Sequence, residues 1–194
     1  MFSPLPAARA TLPDCLHIMP ALHELRAPAG TAAHLGLALL ILTEFWGQQP
    51  VLWVSVSPDW YPPGLAWAGL NPRQCLFAQA RDDVEALGAV EIALRGGMAG
   101  VVECRTVSRL SAKRLALAAR QGGSIGVLLR HAPAHTAQDS TAFATRWMVH
   151  PAPDRCVRAE LLYAKGAMPG TYVFELGEVK HGPPPAVAPM RRVS

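Results

Sequence analysis

Uninterrupted apolar runs mark the predicted strands of this chain. Four of them lie at residues 51–54, 75–78, 99–102 and 125–129, and a mixed run of apolar and polar residues lies at 22–26. Apolar runs without polar alternation are typical of strands buried on both faces, as in a parallel sheet. Helical patterns separate the runs, so the sequence predicts right-handed β-α-β units and a doubly wound sheet.

Three helices are predicted from the spacing of apolar residues and from their ends. An apolar helix covers 35–45, and an amphipathic helix covers 110–121 and stops at Gly122 and Gly123. Asp82 and Glu85 have the spacing of a capping box at the start of a third helix, which Gly96 and Gly97 end. The residues expected on the inner face of that helix are Val84, Leu87, Val90 and Leu94.

The pattern changes after His131. Segments 142–149, 157–164 and 171–176 alternate between apolar and polar residues, and turn-rich segments 151–154 and 165–170 separate them. This alternation predicts an antiparallel meander at the edge of the parallel sheet. We therefore expect one domain at 21–180, an irregular segment at 1–20 and a Pro-rich flexible tail at 181–194.

Composition narrows the function classes only slightly. The 194 residues are 51% hydrophobic and carry a net charge of +4, which permits contact with nucleic acid without requiring it. Four widely spaced cysteines, with no C-x-x-C pair, favour free thiols in a reducing cytoplasm. We see no signal peptide, and the longest apolar stretch, 35–42, is too short to cross a membrane.

The turn between the first strand and the first helix has the layout of a phosphate loop without its chemistry. A working loop reads G-x-x-x-x-G-K-[ST], because glycine backbone wraps the phosphates, lysine neutralises them and the hydroxyl holds magnesium. Here the two glycine positions are Ala27 and Ala32, the lysine position is Ala33 and the hydroxyl position is His34. We expect a degenerate phosphate loop, no cofactor, no metal and no catalytic residue.

Other candidate sites are weak. Ser124 lies in a G-x-S-x-G match, but that motif needs a strand-to-helix turn and this one joins a helix to a strand. His131 and His135 share a loop in which only Asp139 could add a metal ligand, so a solvated loop is expected. Glu103 ends an apolar strand where an ATPase carries its magnesium aspartate, yet without a phosphate loop a strand end in solvent is the better interpretation.

Charged and aromatic clusters give two further candidates. A nucleic-acid surface is possible on the basic stretch, but a solvated helix face is favoured because no aromatic residue interleaves with its charges. Its residues are Arg105, Arg109, Lys113, Arg114 and Arg120. Arg146 and Trp147, and Arg191 and Arg192 in the tail, are weaker candidates of the same kind. Trp53 is expected in the core, and Trp60 and Tyr61 either pack onto the domain or contact a partner.

The order of these segments resembles the core of the RecA recombinase. The residue that would correspond to its water-activating glutamate falls near Val56, and the segments 103–111 and 131–142 leave little room for its DNA-binding loops. The matching segments are 22–34, 51–59, 62–71, 76–103, 125–130 and 145–175. The resemblance implies a three-layer α/β domain whose ATP hydrolysis and filament formation are both in doubt.

A shortened RecA-like chain of this kind resembles the ImuA family. Arg130 before a Pro-containing loop, the segment 145–153 and the segment 158–162 carry that resemblance. It implies a non-enzymatic accessory protein of SOS-induced translesion synthesis in the bacterial cytoplasm, associated with the nucleoid when DNA is damaged. The implied partners are ImuB, an error-prone DnaE-type polymerase, the sliding clamp through ImuB, and RecA, with DNA contact indirect or weak.

Two alternatives stay open at this point. SulA, which inhibits cell division by binding FtsZ, also has a RecA-like fold without a nucleotide site. A working ATPase with a deviant phosphate loop is the second. For the ImuA-like role we expect docking through a sheet edge, with the Pro-rich tail as a secondary contact.

Overall fold

The computed structural model describes residues 19–47, 49–131 and 141–176, and within them strands and helices alternate as the apolar runs predict. The strands are β1 (Ala21–Ala27), β2 (Val51–Ser55), β3 (Cys75–Gln79), β4 (Ala99–Glu103), β5 (Ile125–His131), β6 (Thr145–Ala152), β7 (Cys156–Ala164) and β8 (Gly170–Glu175). The helices are α1 (Ala33–Phe45), α2 (Pro62–Trp67), α3 (Asp83–Arg95) and α4 (Arg109–Gly122), with a 3-10 turn at Pro72–Gln74.

All of these strands join one sheet in the order β3-β2-β4-β5-β1-β6-β7-β8. The first six strands in that order are parallel to one another. β7 is antiparallel to β6, and β8 is antiparallel to β7. The predicted antiparallel meander at the edge of the parallel sheet is therefore confirmed for β6, β7 and β8. The sequence did not predict how this meander joins the sheet: β6 pairs with β1 in parallel, Glu24 opposite Arg146.

Helices cover both faces of the sheet and make three layers. On one face α1 and α2 bury a core around Trp53, Leu37 and Trp147. On the other face α3 and α4 bury a second core around Leu22, Leu94 and Leu115. Both faces of β2, β4 and β5 are largely apolar for this reason, and the expected place of Trp53 in the core is confirmed.

Local signals set the helix ends. Asp82 accepts a hydrogen bond from the Glu85 backbone N–H at the start of α3, and Gly123 ends α4 in the left-handed conformation. The inner face of α3 was predicted wrongly at its first position, since Val84 is 79% exposed. Asp83 takes the inner position instead, where its carboxylate accepts hydrogen bonds from the Arg105 and Thr106 backbone N–H groups.

Several predictions concern residues on which the structure gives no description. The segment 1–18, the tail 181–194, and Cys15, His135 and Asp139 all lie outside the described residues. Among the described residues, Cys75 and Cys104 are buried free thiols, as expected. No helix of the described chain has the length and apolar character to cross a membrane.

Candidate functional site

The β1–α1 turn is tight and lies at the carboxyl ends of the parallel strands. Thr31 donates both its backbone N–H (3.3 Å) and its hydroxyl (3.1 Å) to the Pro28 carbonyl. Gly30, at φ +78°, allows this close return of the chain, and an added Cβ there would meet only open space. Ala32 precedes α1 without a side-chain cap. The turn thus presents backbone and small side chains to the space in front of it.

His34 occupies the position where a phosphate loop has its hydroxyl residue. The residue is buried, at 4% exposure, and neither ring nitrogen has a hydrogen-bond partner among the described residues. Burial, together with the neighbouring His131, lowers the pKa of His34 to about 4. The imidazole is therefore neutral at physiological pH and cannot replace the missing lysine as a cation.

His131 and Glu103 close the other side of this space. The His131 ring lies 4.8 Å from the His34 ring, centroid to centroid, and its Nδ1 lies 3.3 Å from the Pro28 carbonyl oxygen. That contact requires a proton on Nδ1, since a carbonyl oxygen only accepts. Nε2 then lies 4.0 Å from the Glu103 carboxylate, whose other oxygen accepts a hydrogen bond from the Ser55 hydroxyl at 3.1 Å.

Two adjoining cavities meet at Glu103 and His131. The first, about 310 Å³, lies over the β1–α1 turn, and its polar side chains come from Thr31, His34, Asp59, Glu103 and His131. The second, about 330 Å³, lies over the ends of β2 and β4 and includes Val56, Asp83 and Arg105. Val56, which the RecA resemblance places near the water-activating glutamate, is an apolar residue in this second lining.

The titratable side chains that line the first cavity are carboxylates and histidines. Two carboxylates, Asp59 and Glu103, line it, and its lining includes no lysine or arginine of the described chain. Nor do the described residues contain a group of three or more His, Cys, Asp or Glu side chains placed to hold a metal ion. A polyphosphate would therefore meet carboxylates instead of the cations that phosphate sites supply.

Sequence reasoning missed a buried ionic cluster centred on Glu24. The carboxylate accepts hydrogen bonds from Arg146 Nε at 2.6 Å, Arg130 Nη1 at 2.7 Å and Arg26 Nη2 at 3.0 Å. Burial alone would raise the pKa of Glu24, but the contacts with Arg146, Arg130 and Arg26 outweigh it and lower the pKa. Glu24 and Arg26 are charged residues two apart in the predicted strand 22–26, but that strand was not predicted to be buried, whereas the structure buries all of β1.

The Glu24 cluster also joins the sheet to the loop before α4. Arg130 donates to the Arg105 carbonyl at 3.1 Å, and the Arg105 backbone N–H in turn reaches Asp83. The side chain of Arg146 packs over the Phe143 ring at 5.6 Å and is buried. The weak expectation that Arg146 and Trp147 form a surface for nucleic acid is therefore wrong, because both belong to the interior.

The remaining candidates lie away from this site. Ser124 is fully buried at the start of β5, where its hydroxyl donates to the Leu94 carbonyl at 2.9 Å. The basic residues of α4 point outward, and Arg114 pairs with Glu91 on α3 at 2.8 Å. Trp60 packs against Trp53 and Phe77, while the neighbouring Tyr61 is 61% exposed.

These features define the class of protein. The strand order, the three layers and the position of the turn at the end of β1 make an α/β protein compatible with a RecA-like fold. No protein-family model matches the chain.

Curated relatives identify the family. The protein ImuA of Caulobacter vibrioides, in strains NA1000 / CB15N and ATCC 19089 / CIP 103742 / CB 15, is 30% identical to this chain over 156 residues. The match covers 70% of this chain and 64% of the relative, so the chain spans less than two thirds of the relative's length. The chain belongs to the ImuA family.

Proposed function

We propose that this protein is a non-enzymatic accessory factor in SOS-induced translesion DNA synthesis. Membership of the ImuA family is the observation that carries the proposal. The chemistry at the β1–α1 turn supports the non-enzymatic part, since Ala33 and a neutral His34 occupy the positions that bind phosphate and magnesium in an ATPase. The expected partners are ImuB and an error-prone DnaE-type polymerase, with the sliding clamp joined through ImuB and RecA as a further partner.

Docking through a sheet edge is the proposed mode of action. β3 is the outermost parallel strand, and its outer backbone edge has no partner strand among the described residues. Leu76 in this strand is 56% exposed, so apolar surface and unpaired backbone groups occur together. An extended partner segment could add to such an edge by main-chain hydrogen bonds, with Leu76 contributing apolar contact.

The damage-induced mutation frequency tests the accessory role. Deleting the gene should reduce mutagenesis after ultraviolet irradiation to the uninduced level, and the wild-type gene supplied in trans should restore it. An unchanged frequency in the deletion strain would contradict the role. Filamentous cells on overexpression in undamaged cells would instead favour the division-inhibitor alternative.

A capture experiment tests the docking mode separately. Leu76→Asp should reduce retention of purified ImuB and polymerase, because it places a charge where the partner strand packs. Val84→Asp is the matched control, since Val84 is also an exposed aliphatic residue but lies on α3. Equal retention by both variants, together with no effect of deleting the tail 181–194, would refute docking through this edge.

A further inference from the structure

The cavity over the β1–α1 turn has features that the proposed role leaves unexplained. His34 is a buried polar side chain that lines this cavity, and neither ring nitrogen makes a hydrogen bond of good geometry among the described residues, although the Ala32 backbone lies near the ring. A buried polar group without a partner destabilises the fold, so each such group in a native structure calls for an explanation. A ligand that hydrogen-bonds to the ring would satisfy it.

The other polar groups of the cavity are mainly acceptors. Glu103 and Asp59 contribute carboxylate oxygens, and the Thr31 hydroxyl, which already donates to Pro28, keeps its lone pairs. A neutral His34 adds one acceptor nitrogen. The N-terminus of α1 contributes about half a positive charge, which two carboxylates outweigh. This set of groups matches a ligand that carries several N–H donors and a positive charge.

An aromatic side chain completes the lining. Trp60 lies beside Asp59 in the wall of the cavity and is held in place by Trp53 and Phe77. A guanidinium group combines planar stacking on an indole with several N–H donors and bidentate pairing to a carboxylate, which an ammonium group does not. Phosphate-bearing ligands are disfavoured for the reason given above.

We propose that this cavity binds the guanidinium group of an arginine side chain from a partner protein, with Glu103 and Asp59 as the anionic contacts, Trp60 as the stacking surface and His34 as a hydrogen-bond acceptor. The choice of a protein as the source of the arginine rests on the proposed accessory role. The binding of a guanidinium group does not, and it is testable on the isolated chain.

Imidazole and indole NMR resonances measure the binding directly. The probe is Nα-acetyl-arginine amide, and acetyl-citrulline amide is its neutral isostere. The arginine probe should shift the His34, His131 and Trp60 resonances and saturate with a Kd of about 1–10 mM, a range suited to a single side chain. The citrulline probe should produce no saturable shift. No shift with the arginine probe, or equal shifts with both, would overturn the proposal.

The chain provides its own reference site. His150 lies 3.9 Å from the Glu160 carboxylate, a histidine–carboxylate pair like that of His131 and Glu103 but outside the lining of this cavity. Glu103→Gln should weaken binding about tenfold, and Glu160→Gln should leave it unchanged. A His150 shift as large as that of His131 would reveal nonspecific ion pairing and overturn the site.

Two further measurements decide the source of the arginine. Free arginine binding more than about tenfold tighter than the blocked probe would point to a small-molecule ligand and overturn the partner assignment. In cells, Glu103→Lys should fail to restore damage-induced mutagenesis, whereas Glu160→Lys should restore it. Full restoration by Glu103→Lys would overturn the partner assignment while leaving the accessory role intact, so the two failures are distinguishable.

Discussion

Replacing Glu24 by glutamine should destabilise the fold far more than replacing any exposed carboxylate. Glu24 is fully buried and accepts hydrogen bonds from three guanidinium groups at 2.6, 2.7 and 3.0 Å. Glutamine keeps the size of the side chain but removes its charge. Removing one partner from a buried ion pair typically costs about 3–5 kcal/mol, because the opposite charge is left uncompensated.

The expected size of the effect follows from that cost. For a chain of about 150–250 residues, each kcal/mol lowers the melting temperature by about 2–4 °C, so Glu24→Gln should lower it by about 6–20 °C. Urea unfolding followed by tryptophan fluorescence measures the free energy directly, because Trp53 and Trp147 are fully buried. Glu160→Gln is the matched control: its pair with Arg158 is partly exposed and should be worth at most about 1 kcal/mol.

The pH dependence of stability tests the same carboxylate. Its pKa is lowered in the fold, so the unfolded chain binds the proton more readily and stability falls as the pH falls. The contribution of Glu24 should be fully present above the ordinary carboxyl pKa of about 4.3 and be lost at more acidic pH. If Glu24→Gln cost no more than Glu160→Gln, the account of this cluster would be refuted.

Four further outcomes follow from single residues. Gly122→Ala should destabilise by about 1–3 kcal/mol in urea unfolding, because an added Cβ would overlap the Leu94 carbonyl oxygen, and equal stability would contradict this packing. Gly88→Ala, its control in an open position on α3, should instead stabilise by about 0.4–1 kcal/mol. The wild-type protein should lose about 3 kcal/mol of stability between about pH 6.5 and pH 4, because the unfolded chain takes up a proton that the folded His34, with its pKa of about 4, does not. His34→Leu should remove this loss, and a wild-type slope in the variant would contradict the burial of a neutral His34. Burial raises the pKa of Cys104 to about 12, so an aromatic disulfide reagent at pH 8 should modify Cys156 in the native protein and leave Cys104 unmodified until the protein unfolds.

Local features were the most predictable part of the fold. The apolar runs located β2, β3, β4 and β5 to within two residues, because a strand buried on both faces has no reason to alternate. The ends of α3 and α4 followed from Asp82 and Gly123, since capping depends on neighbours in sequence. The error at Val84 arose because Asp83, through its bonds to the loop before α4, holds the inner position of the first turn.

Pairing between strands that are far apart in sequence could not be predicted from local patterns. The direction of β6 depends on its partner β1, which lies more than a hundred residues earlier, and alternation alone does not distinguish parallel from antiparallel pairing. The Glu24 cluster could not be predicted for the same reason, since Arg130 and Arg146 reach Glu24 from the two strands that flank β1. Both features become predictable only when the strand order is known.

Residues of the candidate site stood out in the sequence, but none of them was predicted to form a site. The departures at Ala33 and His34 were visible in the motif, and Glu103 was noted at its strand end. The contact of His34 with His131 was not expected, although Ala27 lies opposite His131 in the β1–β5 register. Sequence spacing pairs His131 with His135 instead, because the β1–β5 register that brings His131 near α1 is not visible in local spacing.

Calorimetric titration with magnesium and ATP tests most directly whether this member of the ImuA family acts by binding proteins without nucleotide chemistry. No saturable heat should appear up to about 1 mM nucleotide, where a complex worth about 4 kcal/mol would be half formed. Saturable binding that is lost on replacing His34 or Thr31 at the β1–α1 turn would contradict this prediction.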